Sequence, residues 1–137
     1  QLKFKIMAKV IVIKGDPNAG KTTASRFILQ VLLYKGARLV SYTALNGLNN
    51  LKGDFVAVIE YQKKRIAICS RGDLLKCVID NITIHVNLDI VVVTSRNYAT
   101  FDKEIRNVYN PIVFNKQKSD YTALTKFVQE VVIEIDK

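Results

Sequence analysis

The chain is poor in the residues that build metal cages and covalent staples. Among 137 residues there are two cysteines and one histidine. Cys69 and Cys77 each lie in an apolar run without metal-type spacing. Both are therefore expected to be buried thiols in a reducing compartment. No stretch approaches the run of about 18 apolar residues that spans a membrane. The apolar run Val10–Ile13 is too short for a signal peptide and passes straight into a loop. A cytoplasmic protein with no membrane contact is the expectation. The chain opens on Gln1, and residues 1–6 ahead of Met7 are either native or added to the native start.

Acidic residues are also scarce. There are 12 Asp+Glu against 21 Lys+Arg, a net charge of +9. That balance favours anionic partners such as nucleotides or phosphorylated metabolites. The basic residues are scattered, apart from Lys63-Lys64-Arg65. Without a basic arm or an aromatic-interleaved basic stripe, a nucleic-acid partner is unsupported. Internal repeats and low-complexity segments are absent too. Nothing in the sequence speaks to the oligomeric state.

What is present suits one domain spanning 1–137. Apolar residues make up 49% of the chain, enough for a core without disulfides or structural metal. Val10–Ile13 reads as a strand buried on both faces. Thr22–Tyr34 changes to helical spacing through Phe27, Ile28, Val31 and Leu32, and Lys35-Gly36 ends it. Arg38–Thr43 is a further strand, and Ala44–Gly53, with three asparagines and two glycines, is a loop. Phe55–Glu60 and Arg65–Cys69 form a hairpin. Asp73–Val86 is a helix, Asp89–Thr94 a strand, and Thr100–Tyr109 a helix stopping before Pro111. Ile112–Phe114 is a short strand and Asp120–Ile135 a closing helix. This alternation predicts an α/β three-layer sandwich with a mostly parallel sheet and one antiparallel hairpin strand.

The most specific signal is Gly15-Asp16-Pro17-Asn18-Ala19-Gly20-Lys21-Thr22, followed by Thr23. It satisfies G-x-x-x-x-G-K-[ST] between a strand and a helix. The glycines let backbone N–H groups curl toward an anion. Lys21 offers a cation to the β- and γ-phosphates, and the Thr22 hydroxyl offers an oxygen to Mg²⁺. The helix beginning near Gly20 adds its positive dipole end. This stretch resembles the Walker A loop of the P-loop NTPases. The resemblance implies a P-loop NTPase fold, a nucleotide held by residues 15–23, and bound Mg²⁺.

Two branches of that superfamily fit less well. ParA- and MinD-type proteins carry a lysine directly after the first glycine, where this chain has Asp16. Ras-like and translational GTPases read guanine with Asn-Lys-x-Asp. Here Asn115-Lys116-Gln117-Lys118 puts Lys118 where the acceptor carboxylate is needed. ATP is therefore expected ahead of GTP.

Strand direction sorts the remaining candidates, because ligands of open α/β sheets lie beyond the carboxyl ends of the parallel strands. The hairpin strands must be antiparallel, and a helical crossover makes 65–69 parallel to 90–94. If both run with the first strand, Glu60 and Asp89 fall at the far end. Asp73 and Asp54 then fall at the near end. Asp73 is the first choice for an acidic group at Mg²⁺, with N-capping of the next helix as its simpler role. Arg96, after Thr94-Ser95, is placed to meet a γ-phosphate or an acidic acceptor; the alternative is a solvated loop arginine. Arg71 has a weaker case. Asn115 and Lys116 close the last strand, where P-loop kinases often contact adenine. His85 is expected at the surface, and Tyr98 and Phe101 in ordinary packing.

The final strand, Asn115, polar turn and closing helix are similar to the end of small nucleotide and metabolite kinases. That resemblance implies an acceptor site opposite the P-loop. The chain departs from it in lacking an arginine-rich lid and in inserting the hairpin 55–69. The expectation is a Mg²⁺-dependent ATPase or small-molecule phosphotransferase, with Lys21, Asp73 and Arg96 as catalytic groups. Asp73 or Asp54 would orient the nucleophile or the metal. The alternatives are a switch-like NTP-binding module that acts through a protein partner, and a GTPase with 44–53 as its switch loop.

Overall fold

A computed structural model describes residues 8–45 and 53–137. The first strand, β1 (Lys9–Lys14), has four consecutive buried residues between half-buried lysines. Such a run needs cover on both faces, and the sheet gives it a central place. Helix α1 (Lys21–Tyr34) follows the glycine-bounded loop. Strands β2 (Arg38–Ala44), β3 (Phe55–Tyr61) and β4 (Lys64–Cys69) come next. Then follow α2 (Leu75–Ile84), β5 (Ile90–Ser95), a helix α3 over 102–109, β6 (Ile112–Asn115) and α4 (Tyr121–Asp136). The first part of α3, Asp102–Arg106, is π-helical.

The six strands form one sheet in the order β2-β3-β4-β5-β1-β6. β1 pairs in parallel with β5 and β6, and β4 in parallel with β5. β3 is antiparallel to both β2 and β4. β3 alone therefore runs against the other strands. The mostly parallel sheet with one reversed hairpin strand is as the sequence predicts. The helix boundaries differ by one or two residues: α2 begins at Leu75 rather than Asp73, and β2 extends to Ala44.

Helices cover both faces. On one, Ile28, Leu29 and Leu32 of α1 and Val128, Val131 and Val132 of α4 pack on Ile11, Ile13, Ile66 and Ile68. On the other, Val78 and Ile82 of α2 and Phe101 and Ile105 near α3 pack on Val10, Val12, Val91 and Val93. Period-2 alternation in β1 and β5 thus feeds two separate apolar layers. β3 shows the same alternation, with Phe55, Ala57, Ile59 and Tyr61 buried on the α1 side. β2 is exposed along its whole length and forms one edge.

The register sets the site. Lys14 lies opposite both Ser95 and Asn115, so the carboxyl ends of β1, β5 and β6 meet. Cys69 lies opposite Val93, bringing the end of β4 to the same edge. Val56 lies opposite Cys69, so the reversed strand begins where its neighbours end. Glu60 and Asp89 lie at the other end. Glu60 is engaged with Arg38 and Arg65, and the Asp89 carboxylate accepts from the Arg65 amide. Among the described residues no helix is long and apolar enough to cross a membrane. The expected switch loop 44–53 lies for the most part, 46–52, outside the described residues.

Candidate functional site

The loop after β1 closes tightly for reasons that are local. Gly20 takes φ +89° at the cap of α1, and Asn18 takes φ 66°. Both are left-handed conformations, which glycine and asparagine tolerate best. Gly15 serves a different need. A Cβ there would stand 2.3 Å from the backbone oxygen of Lys116. Among the described residues no acceptor meets the amides of Gly20, Lys21, Thr22 and Thr23. The start of α1 therefore presents a set of unused N–H donors at its positive end.

Lys21 curls back over the loop. Its Nζ donates to the carbonyls of Gly15 at 2.9 Å and Asp16 at 2.6 Å. An ammonium has three protons, so one remains for a ligand. Burial lowers the Lys21 pKa, the nearby Arg96 lowers it further, and Asp16 opposes them. Two cations share this corner, and an anion between them would relieve their repulsion.

A second lysine holds the loop from behind. Lys116 is buried, and its Nζ donates to Ala19 O at 2.9 Å, to Ser119 Oγ at 3.2 Å and to Gln117 O. Its protons are thereby committed to the protein. Burial lowers its pKa. Lys116 is a brace between the β6–α4 turn and the loop, not a group free to meet a ligand. The sequence put it with Asn115 on the nucleotide side, whereas its ammonium is bonded to protein groups. The role depends on β6 lying next to β1, which spacing does not reveal.

The carboxylate beside Thr22 is Asp54. Thr22 Oγ1 donates to Asp54 Oδ1 at 3.1 Å. Ser70 Oγ donates to the same oxygen at 3.1 Å. The Thr22 proton thus points at Asp54, and its lone pairs face elsewhere. Asp54 sits just before β3, and the reversal of that strand delivers it to this edge.

Asp73 lies in the same cavity by another route. It lines a cleft of about 390 Å³ together with Lys21, Thr22, Asp54, Gly72 and Arg96. The cleft is of a size usual for small ligands. The Asp73 carboxylate stands 3.7 Å from Arg71 Nε, and both side chains are about half exposed. The cap position of α2 belongs to Leu74, so Asp73 does not cap that helix. Arg96 is half-buried at the end of β5, on the wall of this cleft.

The β4–α2 loop is pinned in place. Three successive carbonyls each accept from a side chain: Ser70 O from Thr94 Oγ1, Arg71 O from Asn81 Nδ2, and Gly72 O from Tyr98 Oη. Gly72 packs so close that a Cβ would stand 2.2 Å from Thr94 O. Tyr98 packs against the core as expected, and its hydroxyl in addition holds this loop.

Asn115 does not meet the first cleft. It lines a second one, of about 660 Å³, on the other flank of the loop, with Lys14, Asp16, Asn97 and Lys118. Asn97 Nδ2 donates to Asp16 Oδ1 at 2.6 Å, tying the loop to the end of β5. His85, expected at the surface rather than in catalysis, is half-buried. Its Nδ1 is 2.7 Å from Asn81 O and 3.7 Å from the Cys69 thiol. Cys69 is buried as expected, whereas Cys77 is only partly so.

No protein-family model, curated protein or solved structure matches this chain. The functional reading rests on the residues themselves.

Proposed function

We propose that this protein binds ATP at the Gly15–Thr23 loop and is a Mg²⁺-dependent ATPase or small-molecule phosphotransferase of the P-loop type. The observation that carries the reading is the convergence of Lys21, Thr22, Asp54 and Arg96 on one cleft, beside the unused amides of α1. Residues 15–23 would wrap the phosphates through backbone N–H groups. Lys21 would give its remaining proton to the β- and γ-oxygens. Asn115, at the mouth of the second cleft, would serve the nucleoside side. Lys118 offers a donor where guanine needs an acceptor, which favours ATP over GTP.

Thr22 and Asp54 suit Mg²⁺. Both offer hard oxygen, and a magnesium site built on substrate phosphates needs only one or two protein oxygens. The described residues contain no cluster of three or more metal-ligating side chains, which such a site does not require. Held by these two residues, Mg²⁺ would supply neutralisation of the phosphate charge. The Thr22 hydroxyl would present a lone pair to it while keeping its proton on Asp54. Asp73, the first choice for the metal on sequence grounds, lies in the same cleft beside Arg71 and would orient an attacking hydroxyl or water. Arg96 would sit on the charge that develops on the transferred group.

One observation favours a second reading, an NTP-binding module switched by a protein partner. The edge strand β2 is exposed along its whole length, and Leu45 N, just after it, donates to Asp54 O at 2.9 Å. A partner on β2 would act on the strand that carries Asp54.

Phosphate release tests the reading. It is measured with ATP and GTP, with Mg²⁺ or EDTA, on the wild type and Lys21→Ala. The expected result is Mg²⁺-dependent release from ATP that Lys21→Ala abolishes. Binding of ATP without release, even with candidate acceptors present, selects the module reading.

A further inference from the structure

The Asp54 carboxylate is held by a residue that no motif points to. Ser70 is almost fully buried at the end of β4. Its hydroxyl accepts from the Phe55 amide at 2.9 Å, which fixes the oxygen in place. Its single proton then has two candidate acceptors: Asp54 Oδ1 at 3.1 Å and the Phe55 carbonyl at 3.4 Å. The carboxylate is the nearer and the charged acceptor, so it wins the proton. The Ser70 backbone is fixed as firmly. Its amide donates to Phe55 O at 3.0 Å, and its carbonyl accepts from Thr94 Oγ1 at 2.7 Å.

We propose that Ser70 is a positioning residue for Asp54, and through it sets how strongly the nucleotide site depends on a divalent cation. Asp54 Oδ1 takes two hydroxyl protons, one from Thr22 on α1 and one from Ser70 on β4. That pair of bonds fixes the carboxylate plane. Asp54 lines the cleft, where its carboxylate would be available to a hydrated cation. A carboxylate anchored by Thr22 alone could pivot about that one bond. Groups that orient such ligands typically cost about 10–100-fold in metal affinity when removed.

The inference rests on the nucleotide reading, and the test separates the two. A fluorescent ATP analogue is titrated first in EDTA, then with increasing Mg²⁺, on the wild type, Ser70→Ala, Ser70→Thr, Asp54→Asn and the Ser70→Ala/Asp54→Asn double variant. Ser70→Ala is expected to weaken the apparent Mg²⁺ constant by roughly tenfold or more and leave binding in EDTA little changed. Ser70→Thr, which keeps the hydroxyl, restores most of it. In the Asp54→Asn background Ser70→Ala adds no further weakening, as coupled partners require. Should Ser70→Ala fail to fold, Ser70→Cys takes its place. Its weaker donor is expected to weaken the Mg²⁺ constant in the same direction. An unchanged Mg²⁺ constant, or an equal loss with and without the Asp54 carboxylate, overturns the role of Ser70 alone. No binding of the analogue in either condition overturns the nucleotide reading, and this assignment with it.

Discussion

Thr22 Oγ1 and Asp54 Oδ1 stand 3.1 Å apart, joining the first turn of α1 to the start of β3. The two residues are 32 positions apart in sequence. They meet because β3 runs against its neighbours, so the residue just before it arrives where their last residues lie. Asp73, by contrast, faces the same cleft from a loop with its carboxylate beside Arg71.

The two carboxylates should therefore differ on substitution. Asp54→Asn is expected to raise the Mg²⁺ requirement of nucleotide binding by about tenfold or more. Asp73→Asn is expected to slow turnover with little change in that requirement. Paired Mg²⁺ titrations of binding and rate check this. A larger Mg²⁺ effect from Asp73→Asn would reverse the assignment.

Two glycines are required by close approach. Gly15→Ala would put a methyl 2.3 Å from the Lys116 carbonyl oxygen, and Gly72→Ala one 2.2 Å from that of Thr94. Backbone must move in both cases. Each variant is expected to lose about 1–3 kcal/mol or more of stability, as overpacking does. Urea denaturation measures it, and wild-type midpoints would show that the loops yield freely.

An ion pair ties β1 to the end of α4. Lys9 Nζ lies 2.6 Å from Glu134 Oε2 and donates to Glu134 O at 2.9 Å. The lysine hydrogen bond holds the Glu134 pKa below its usual value of 4.5. A depressed carboxylate stabilises the fold above the unfolded pKa, and the gain is lost as pH falls through the folded one. Glu134→Gln is thus expected to cost about 1 kcal/mol near pH 7 and nothing in strong acid. Melting curves across that range should converge below the pKa; parallel curves would refute the pairing.

The two thiols should react unequally. Burial pushes the Cys69 thiol up to about 12. Cys77 is partly exposed on α2. A thiol reagent at neutral pH is expected to modify one cysteine in the folded protein, Cys77, and both after unfolding. Mass spectrometry of the digested adduct assigns the site, and early labelling of Cys69 would contradict its burial.

The order of elements along the chain was readable from periodicity, and so were the reversed hairpin strand and the glycine loop. These are local patterns, or follow from the handedness of short crossovers. The loop 15–22 was readable because its glycines, Lys21 and Thr22 lie within eight residues. The partners of that segment were not. Strand direction put Asp54 and Asp73 at the same edge, and sequence alone favours Asp73; that Asp54 is the one reaching Thr22 appears only in the fold. Ser70 carried no signal, and the position of Lys116 pointed to the nucleotide side rather than to a brace. A buried serine on an apolar strand and a lysine after an asparagine look ordinary. Their roles appear only once β4 lies beside β3 and β6 beside β1.

The central claim is that residues 15–23 hold a nucleotide. The most direct measurement is the melting temperature with ATP and with GTP, in Mg²⁺ and in EDTA, for the wild type and Lys21→Ala. At 100-fold excess over Kd a ligand that binds only the folded chain adds about 2.7 kcal/mol, a shift of several degrees for a domain of this size. The account predicts that ATP with Mg²⁺ raises the wild-type melting temperature, that GTP does so less, and that Lys21→Ala removes the shift. A wild-type melting temperature indifferent to both nucleotides would contradict it.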